Sequence, residues 1–326
     1  MNKTMKWIYT ALVLILIGAG LMISVGSMNG WDPARFGNAV HLTAQRFPIE
    51  EDFTAIDLRG CGGDVTLLPA DDGVCRVVTG VSEDSGIETK VEVRDGVLYV
   101  TREDTRPWYA RIAFNFWTGE DDVTVFLPGE RTEALDLRGA SSQVVVGSGL
   151  AFGRASVETT SGDIRFQAAA SESLRLKTNS GAILLAYSAC GDVALESTSG
   201  DIRVRYLQCG DFASRSSSGS QRLEDLSAAG GVTAVSSSGE KTLSRVTAKD
   251  ALEIESTSGD VALDGIDAAS VAIRSTSGEV KGTVARRMAF SASSSSGDIR
   301  LPESDPKGGA FTVRTASGDI RITVGT

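Results

Sequence analysis

The chain has 326 residues, with 32 basic against 42 acidic side chains, a formal charge of −10 and a single histidine, His41. An acidic chain without a single-sign basic patch is ill suited to tracking phosphates, so a nucleic-acid partner is excluded. One histidine leaves no parts for a Ser-His-Asp triad or a multi-histidine metal site, and no cofactor is expected.

Residues 1–6 carry Lys3 and Lys6, and the stretch from Trp7 to Met28 is 22 residues without a charge. That length crosses a bilayer as a helix, and the preceding lysines place residues 1–6 in the cytoplasm and the rest of the chain outside. The alternative is a cleaved signal peptide with Ser24-Val25-Gly26 as the small-residue cleavage site; either one exports the remainder of the chain. Residues 29–46 read as a tether, rich in Gly, Pro and Asn without periodicity.

Residues 47–150 are strand-like but irregular, as a terminal cap of a repeat protein often is. The run Phe53–Gly60 is echoed by Ala134–Gly139, and Gly62–Pro69 resembles the later repeats, so both read as degenerate first coils. The segment from Pro107 to Trp117 is dense in aromatics in a chain that is only 6% aromatic. Alternation puts Ile112, Phe114 and Phe116 on one face, as in a hairpin packed over the solenoid end. Trp108, Tyr109 and Trp117 are then free to meet a partner, since aromatic faces anchor interfaces and stack on sugars.

From residue 151 to 326 nine Ser-Gly pairs recur, at Gly162, Gly181, Gly200, Gly219, Gly239, Gly259, Gly278, Gly297 and Gly318, with gaps of 19 to 21 residues. A unit this short cannot close its own core, so neighbours must stack. Counted from each glycine, positions −7, −5, +2 and +4 are apolar in 32 of 36 slots; Ser214, Gln221, Lys241 and Gly282 are the exceptions. Period-two alternation on both sides of a turn predicts two short strands per unit. The expected fold is all-β, a parallel β-solenoid with coils ~4.8 Å apart.

The outward positions form columns. Position −4 runs Glu158, Lys177, Glu196, Arg215, Val235, Glu255, Arg274, Ser293 and Arg314, so opposite charges often face each other; +1 is acidic in seven of nine units and +3 basic in six. Such repetition suits a solvated, mutually neutralising surface better than a unique catalytic site, since paired acids in an enzyme need different environments. Calcium is the other chemical option, but the calcium-binding nonapeptide is absent and Arg at +3 competes for the carboxylates.

With one apolar anchor, the run "VTVFLPGE" at Val123–Glu130 and serial units such as Thr198–Ile202, Thr257–Val261 and Ala316–Ile320, residues 50–326 resemble the adhesin-like β-solenoid domain family of bacterial envelope proteins. The family is of unknown function. The apolar anchor, the rigid repetitive surface and the missing catalytic groups point to a non-enzymatic, membrane-anchored surface protein, adhesin-like as the resemblance implies, whose rigid lateral face or aromatic segment binds a cell-wall polymer or a membrane protein. Some relatives are associated with envelope-stress operons, which implies a regulatory or sensory component as the alternative. A polysaccharide-active β-helix enzyme is a third class.

Cys190 and Cys209 lie one repeat apart in the same Cys-Gly-Asp context. Stacking brings their Cα atoms within disulfide range, although residues in register point the same way, and reduced thiols are the alternative. Cys61 and Cys75 are a second candidate bridge. Finally, Ile320–Val324 has nothing after it to cover it, so this C-terminal edge is expected to allow weak self-association.

Overall fold

The computed structural model describes residues 42–82, 87–104, 122–129 and 132–325. The expected anchor, most of the tether and the aromatic segment with Trp108, Tyr109 and Trp117 lie outside them. Among the described residues all regular elements are strands, and no helix is long and apolar enough to cross a membrane.

From residue 44 onward the described residues form one β-solenoid whose coils stack in parallel. Successive coils pair at equivalent positions, so that Leu174 faces Val193 and Val193 faces Phe212 on one side, while Ile164, Ile183 and Ile202 line up on another. Equal register in every coil stacks like upon like, which converts the −7, −5, +2 and +4 positions into four inward columns. A single apolar core accordingly runs from Ile56 to Ile322.

The Ser-Gly corner joins two sides. In the first four regular coils a hydroxyl three residues before the glycine accepts from the glycine N–H: Thr159 from Gly162 at 3.3 Å, Thr178 from Gly181 at 3.1 Å, Ser197 from Gly200 and Ser216 from Gly219 at 2.9 Å. The glycines are stacked so closely that a Cβ on Gly200 would sit 1.8 Å from the carbonyl oxygen of Gly181. From Gly239 onward the corner changes geometry and the glycines take φ between 119° and 146°. The spacing lengthens from 19 to 20 residues at that point.

Each coil has a third side beyond the two strands expected. The strand Ile202–Cys209 runs past a bend at Tyr206, where φ is 52°, and turns Leu207 back into the core. The same bend recurs at Tyr187, Asp225, Arg245 and Gly265, with φ from 52° to 64°. Behind it Leu207, Leu226 and Val246 are buried in register. Bends of this kind carry no fixed residue type here, so no periodic glycine marks them in the sequence.

Spatial order departs from chain order at both ends. The echoing runs are direct neighbours: Ile56 pairs with Leu135 and Leu58 with Leu137. On its other side Ala55–Cys61 pairs with Val97–Asp104, so the outermost N-terminal coil comes later in sequence than the one beneath it. That end is covered by antiparallel strands, Ile87–Arg94 against Val97–Asp104 and Arg76–Ser82 against Val123–Leu127.

At the C-terminus the last coil inserts itself. Ile320–Val324 pairs with Val280–Val284 on one side and with Ile299–Arg300 on the other. The exposed edge is therefore Ala289–Ser296 with Ile299–Arg300, and the expectation of an open edge at Ile320–Val324 is corrected. The longer return segment between Ile299–Arg300 and Ala310–Ser317 makes the step back, held by Ser304 Oγ accepting from Phe290 N at 3.0 Å and by Arg287 pairing with Glu303 at 2.9 Å.

Candidate functional site: a hydroxyl-floored groove along the Ser-Gly corner

Just before each Ser-Gly corner the chain presents three columns, at −4, −3 and −2. Together they line a groove of about 640 Å³ that passes over six consecutive coils, from Lys177 to Thr276. The rim is the −4 column, Lys177, Glu196, Arg215, Val235, Glu255 and Arg274. The floor is the −3 hydroxyl column, in which Thr178, Ser197, Ser216, Ser236 and Ser256 are buried.

The rim charges are mostly engaged. Lys177 pairs with Glu158 at 3.1 Å, Glu196 with Arg175 at 3.1 Å and Glu255 with Arg274 at 3.0 Å. Arg215, at the middle of the groove, is exposed and has no ion-pair or hydrogen-bond partner among the described residues. Its neighbours in the column are Glu196, already held by Arg175, and the uncharged Val235.

Beneath the floor lies a polar seam. Three of the four exceptions to the apolar rule meet here: Ser214, Gln221 and Lys241 are all buried. Ser214 Oγ donates to Gln221 Oε1 at 2.8 Å, and Gln221 Nε2 donates to the Val235 carbonyl at 2.7 Å. Lys241, stacked on Gln221, donates from Nζ to Ser236 Oγ and to Ser256 Oγ, the latter at 3.0 Å. Both acceptors belong to the groove floor. Burial lowers the ammonium to a pKa of about 8, so it still carries a proton at neutral pH. The fourth exception, Gly282, avoids a clash, since a Cβ there would lie 1.9 Å from the Leu263 carbonyl oxygen.

The +1 acids have a structural task. Asp163 accepts from Ala182 N at 2.8 Å, Asp201 from Ser220 N at 3.0 Å and Asp260 from Glu279 N at 2.8 Å. Each carboxylate satisfies a backbone donor of a neighbouring coil, which is a physical reason for the Ser-Gly-Asp pattern.

All four cysteines are free thiols, so neither expected bridge is formed. Cys190 and Cys209 sit in adjacent coils directly after the pair Ala189 and Gln208. Side by side in a parallel ladder, they lack the crossed dihedral a disulfide needs. Burial raises them to about 11 and about 12, which keeps them protonated. Cys61 precedes the strand Val65–Pro69, whereas Arg76, next to Cys75, pairs with Phe126, itself opposite Leu68 near the far end of that strand. A strand of that length spans ~13 Å, beyond a disulfide's reach.

An exposed aromatic pair lies elsewhere than the sequence pointed. Tyr187 and Tyr206 stand at the left-handed bends of adjacent coils, 67% and 52% exposed, with ring centroids 4.9 Å apart and planes at 19°. One row further Asp225 and Arg245 make a bidentate pair at 2.6 and 2.8 Å.

Residues 53–225 and 209–325 match the Toastrack DUF4097 domain, and together they span most of the chain. The chain belongs to the Toastrack family. Toastrack is a β-solenoid domain of unknown function, in agreement with the resemblance carried by the repeats. No curated protein matches this Toastrack chain. Among solved structures it is similar to a "putative lipid binding protein" from Parabacteroides distasonis, at 14% identity and a TM-score of 0.52, covering 88% of this chain and 98% of that one. It is also similar to a "putative adhesin" from Bacteroides fragilis, at 15% identity and a TM-score of 0.42, covering 87% and 97%. Another "putative adhesin", from Parabacteroides distasonis, aligns at 12% identity and a TM-score of 0.46 over 85% and 98%. At 14% identity the likeness to the first of these shows the fold alone.

In this Toastrack chain the groove residues are hard to single out in the sequence, because −3 is polar in every unit and −2 in all but the last, so both read as ordinary turn chemistry. The signal available is the clustering of the three polar exceptions within two repeats. Tyr187 and Tyr206 are legible only as two aromatics spaced by one period.

Proposed function

We propose that this chain is a membrane-anchored, extracytoplasmic, adhesin-like binding protein whose groove along the Ser-Gly corner holds an envelope component. The observation that carries this reading is the groove itself: six coils repeat the same hydroxyl floor at ~4.8 Å intervals, a surface matched to an extended ligand. The 22-residue uncharged stretch from Trp7 to Met28 supports the anchor, with the solenoid outside the cytoplasm. A binding role rather than catalysis is supported by the engagement of the +1 carboxylates with backbone donors. The full chain, purified in mild detergent, is expected to retain cell-wall polymer from envelope extracts. Substituting Ser217, Ser237 and Thr257 by bulky Gln should fill the groove and abolish retention; retention unchanged by that triple substitution would refute the groove as the site.

The second reading is a regulatory component that contacts another membrane protein. The stacked Tyr187–Tyr206 pair favours it, because two adjacent exposed aromatic rings offer a flat face of the kind that anchors interfaces. Loss of a cross-linked membrane protein in Tyr206→Ser, with polymer retention intact, would support this reading over the first.

A further inference from the structure

Arg215, the one rim charge without a partner among the described residues, lies in the middle of the groove, and the two floor hydroxyls bonded to the buried Lys241 belong to the next two coils. Resting on the groove reading, we infer that the groove selects a hydroxyl-rich linear polymer bearing acidic groups, phosphate or carboxylate, and seats one of them on Arg215.

The chemistry is specific to that spot. A guanidinium presents forked donors that fit a carboxylate or phosphate edge, and here none of them is taken up by another described residue. The adjacent acid, Glu196, is held by Arg175, and the next acid along the rim, Glu255, is held by Arg274, so neither carboxylate is directed at Arg215. Val235 separates Arg215 from Glu255 in the column, leaving an uncharged position beside it. Lys241 adds a second positive charge behind Ser236, with no carboxylate among its bonded partners to cancel it. The other rim cations, Lys177 and Arg274, are balanced, so the rest of the groove offers hydroxyls and neutralised pairs, which match the hydroxyls of a polyol or sugar chain.

The test compares three hexamers binding to the full chain in detergent: oligogalacturonate, oligo(glycerol phosphate) and neutral maltohexaose. At least one acidic oligomer is expected to bind about tenfold or more tightly than the neutral one, the size of a charge-assisted contact. Which acidic oligomer wins identifies carboxylate or phosphate as the group. Arg215→Ala should remove that preference, while Arg222→Ala, which deletes an exposed arginine on another side of the coil, should leave it intact. Lys241→Met should reduce the preference without abolishing it. Equal binding of all three oligomers, or of none, overturns the inference, as does an equal loss in Arg215→Ala and Arg222→Ala. Envelope material still retained through the groove in those cases would leave the binding reading standing, whereas retention insensitive to filling the groove removes both.

Discussion

Lys241 makes stability depend on pH. Its ammonium is fully buried, with two hydroxyls and no carboxylate to offset the loss of water. The folded value is lowered from 10.5 to about 8. Above pH 10.5 both the folded and unfolded lysine are neutral and there is no penalty. As pH falls from 10.5 to 8 the unfolded chain takes up a proton that the folded one refuses, so stability drops, and below 8 the cost is constant at about 3 kcal/mol. Denaturant unfolding of the wild type and Lys241→Met at about pH 7 and about pH 10.5 checks this. The difference between them should move by about 3 kcal/mol in favour of the wild type at high pH, and a pH-independent difference would contradict it. A buried charge bonded to two hydroxyls of the groove floor fits a binding role for that charge.

At the scale of the element, the Ser-Gly corner is where the stack is least forgiving. Glycine at 200 is required because the corner of the preceding coil lies against it, not because of an unusual φ. Gly200→Ala should therefore destabilise by ~3 kcal/mol or more, since backbone on both sides must move. Gly96 is the useful contrast. It sits with Asp95 in the tight turn between Ile87–Arg94 and Val97–Asp104, has φ 75°, and has open space where a Cβ would go. Gly96→Ala should cost only about 1 kcal/mol, the penalty for a left-handed residue with a side chain. Thermal unfolding of the two variants side by side would show the ranking, and the reverse order would mean that the corners do not pack this tightly. The two-strand repeat was legible because alternation and glycine are local signals. The third side was not, because Tyr187, Tyr206, Asp225 and Arg245 share a backbone conformation but no chemistry.

At the scale of the whole molecule, the inverted order of the last coils decides where another chain could add. The edge Ala289–Ser296 with Ile299–Arg300 is exposed, and Ile299, whose counterparts point inward in the other coils, is 42% exposed here because no coil follows it. An unpaired strand edge invites pairing, so concentration-dependent self-association is expected to run through this coil and not through Ile320–Val324. Sedimentation of the full chain in detergent should show weak association that Ile299→Lys suppresses. A strictly monomeric wild type, or an Ile299→Lys variant that associates equally well, would speak against it. The insertion also couples the last two coils. Removing residues 310–325 should expose Ala289–Ser296 as well, so hydrogen-exchange protection is expected to collapse across 289–300 along with the deleted coil.

Sequence alone was sufficient for the coil length, the inward columns and the hydroxyl, glycine and acid positions of each corner. These follow from side-chain alternation and from backbone demands within a few residues, repeated until chance is excluded. Val193, Leu195, Ile202 and Val204 could be placed in the core from one unit and checked against the next. Tertiary structure decided everything that depends on how one coil meets another. Residues 55–61 lie between two segments that come after them in the chain, and the last coil slots in before the one preceding it, because register pairing rewards the best-matched neighbour irrespective of chain order. The groove, the unpartnered Arg215 and the Lys241–Ser contacts arise from coils stacked ~4.8 Å apart yet about a full repeat away in sequence. No local pattern carries that distance.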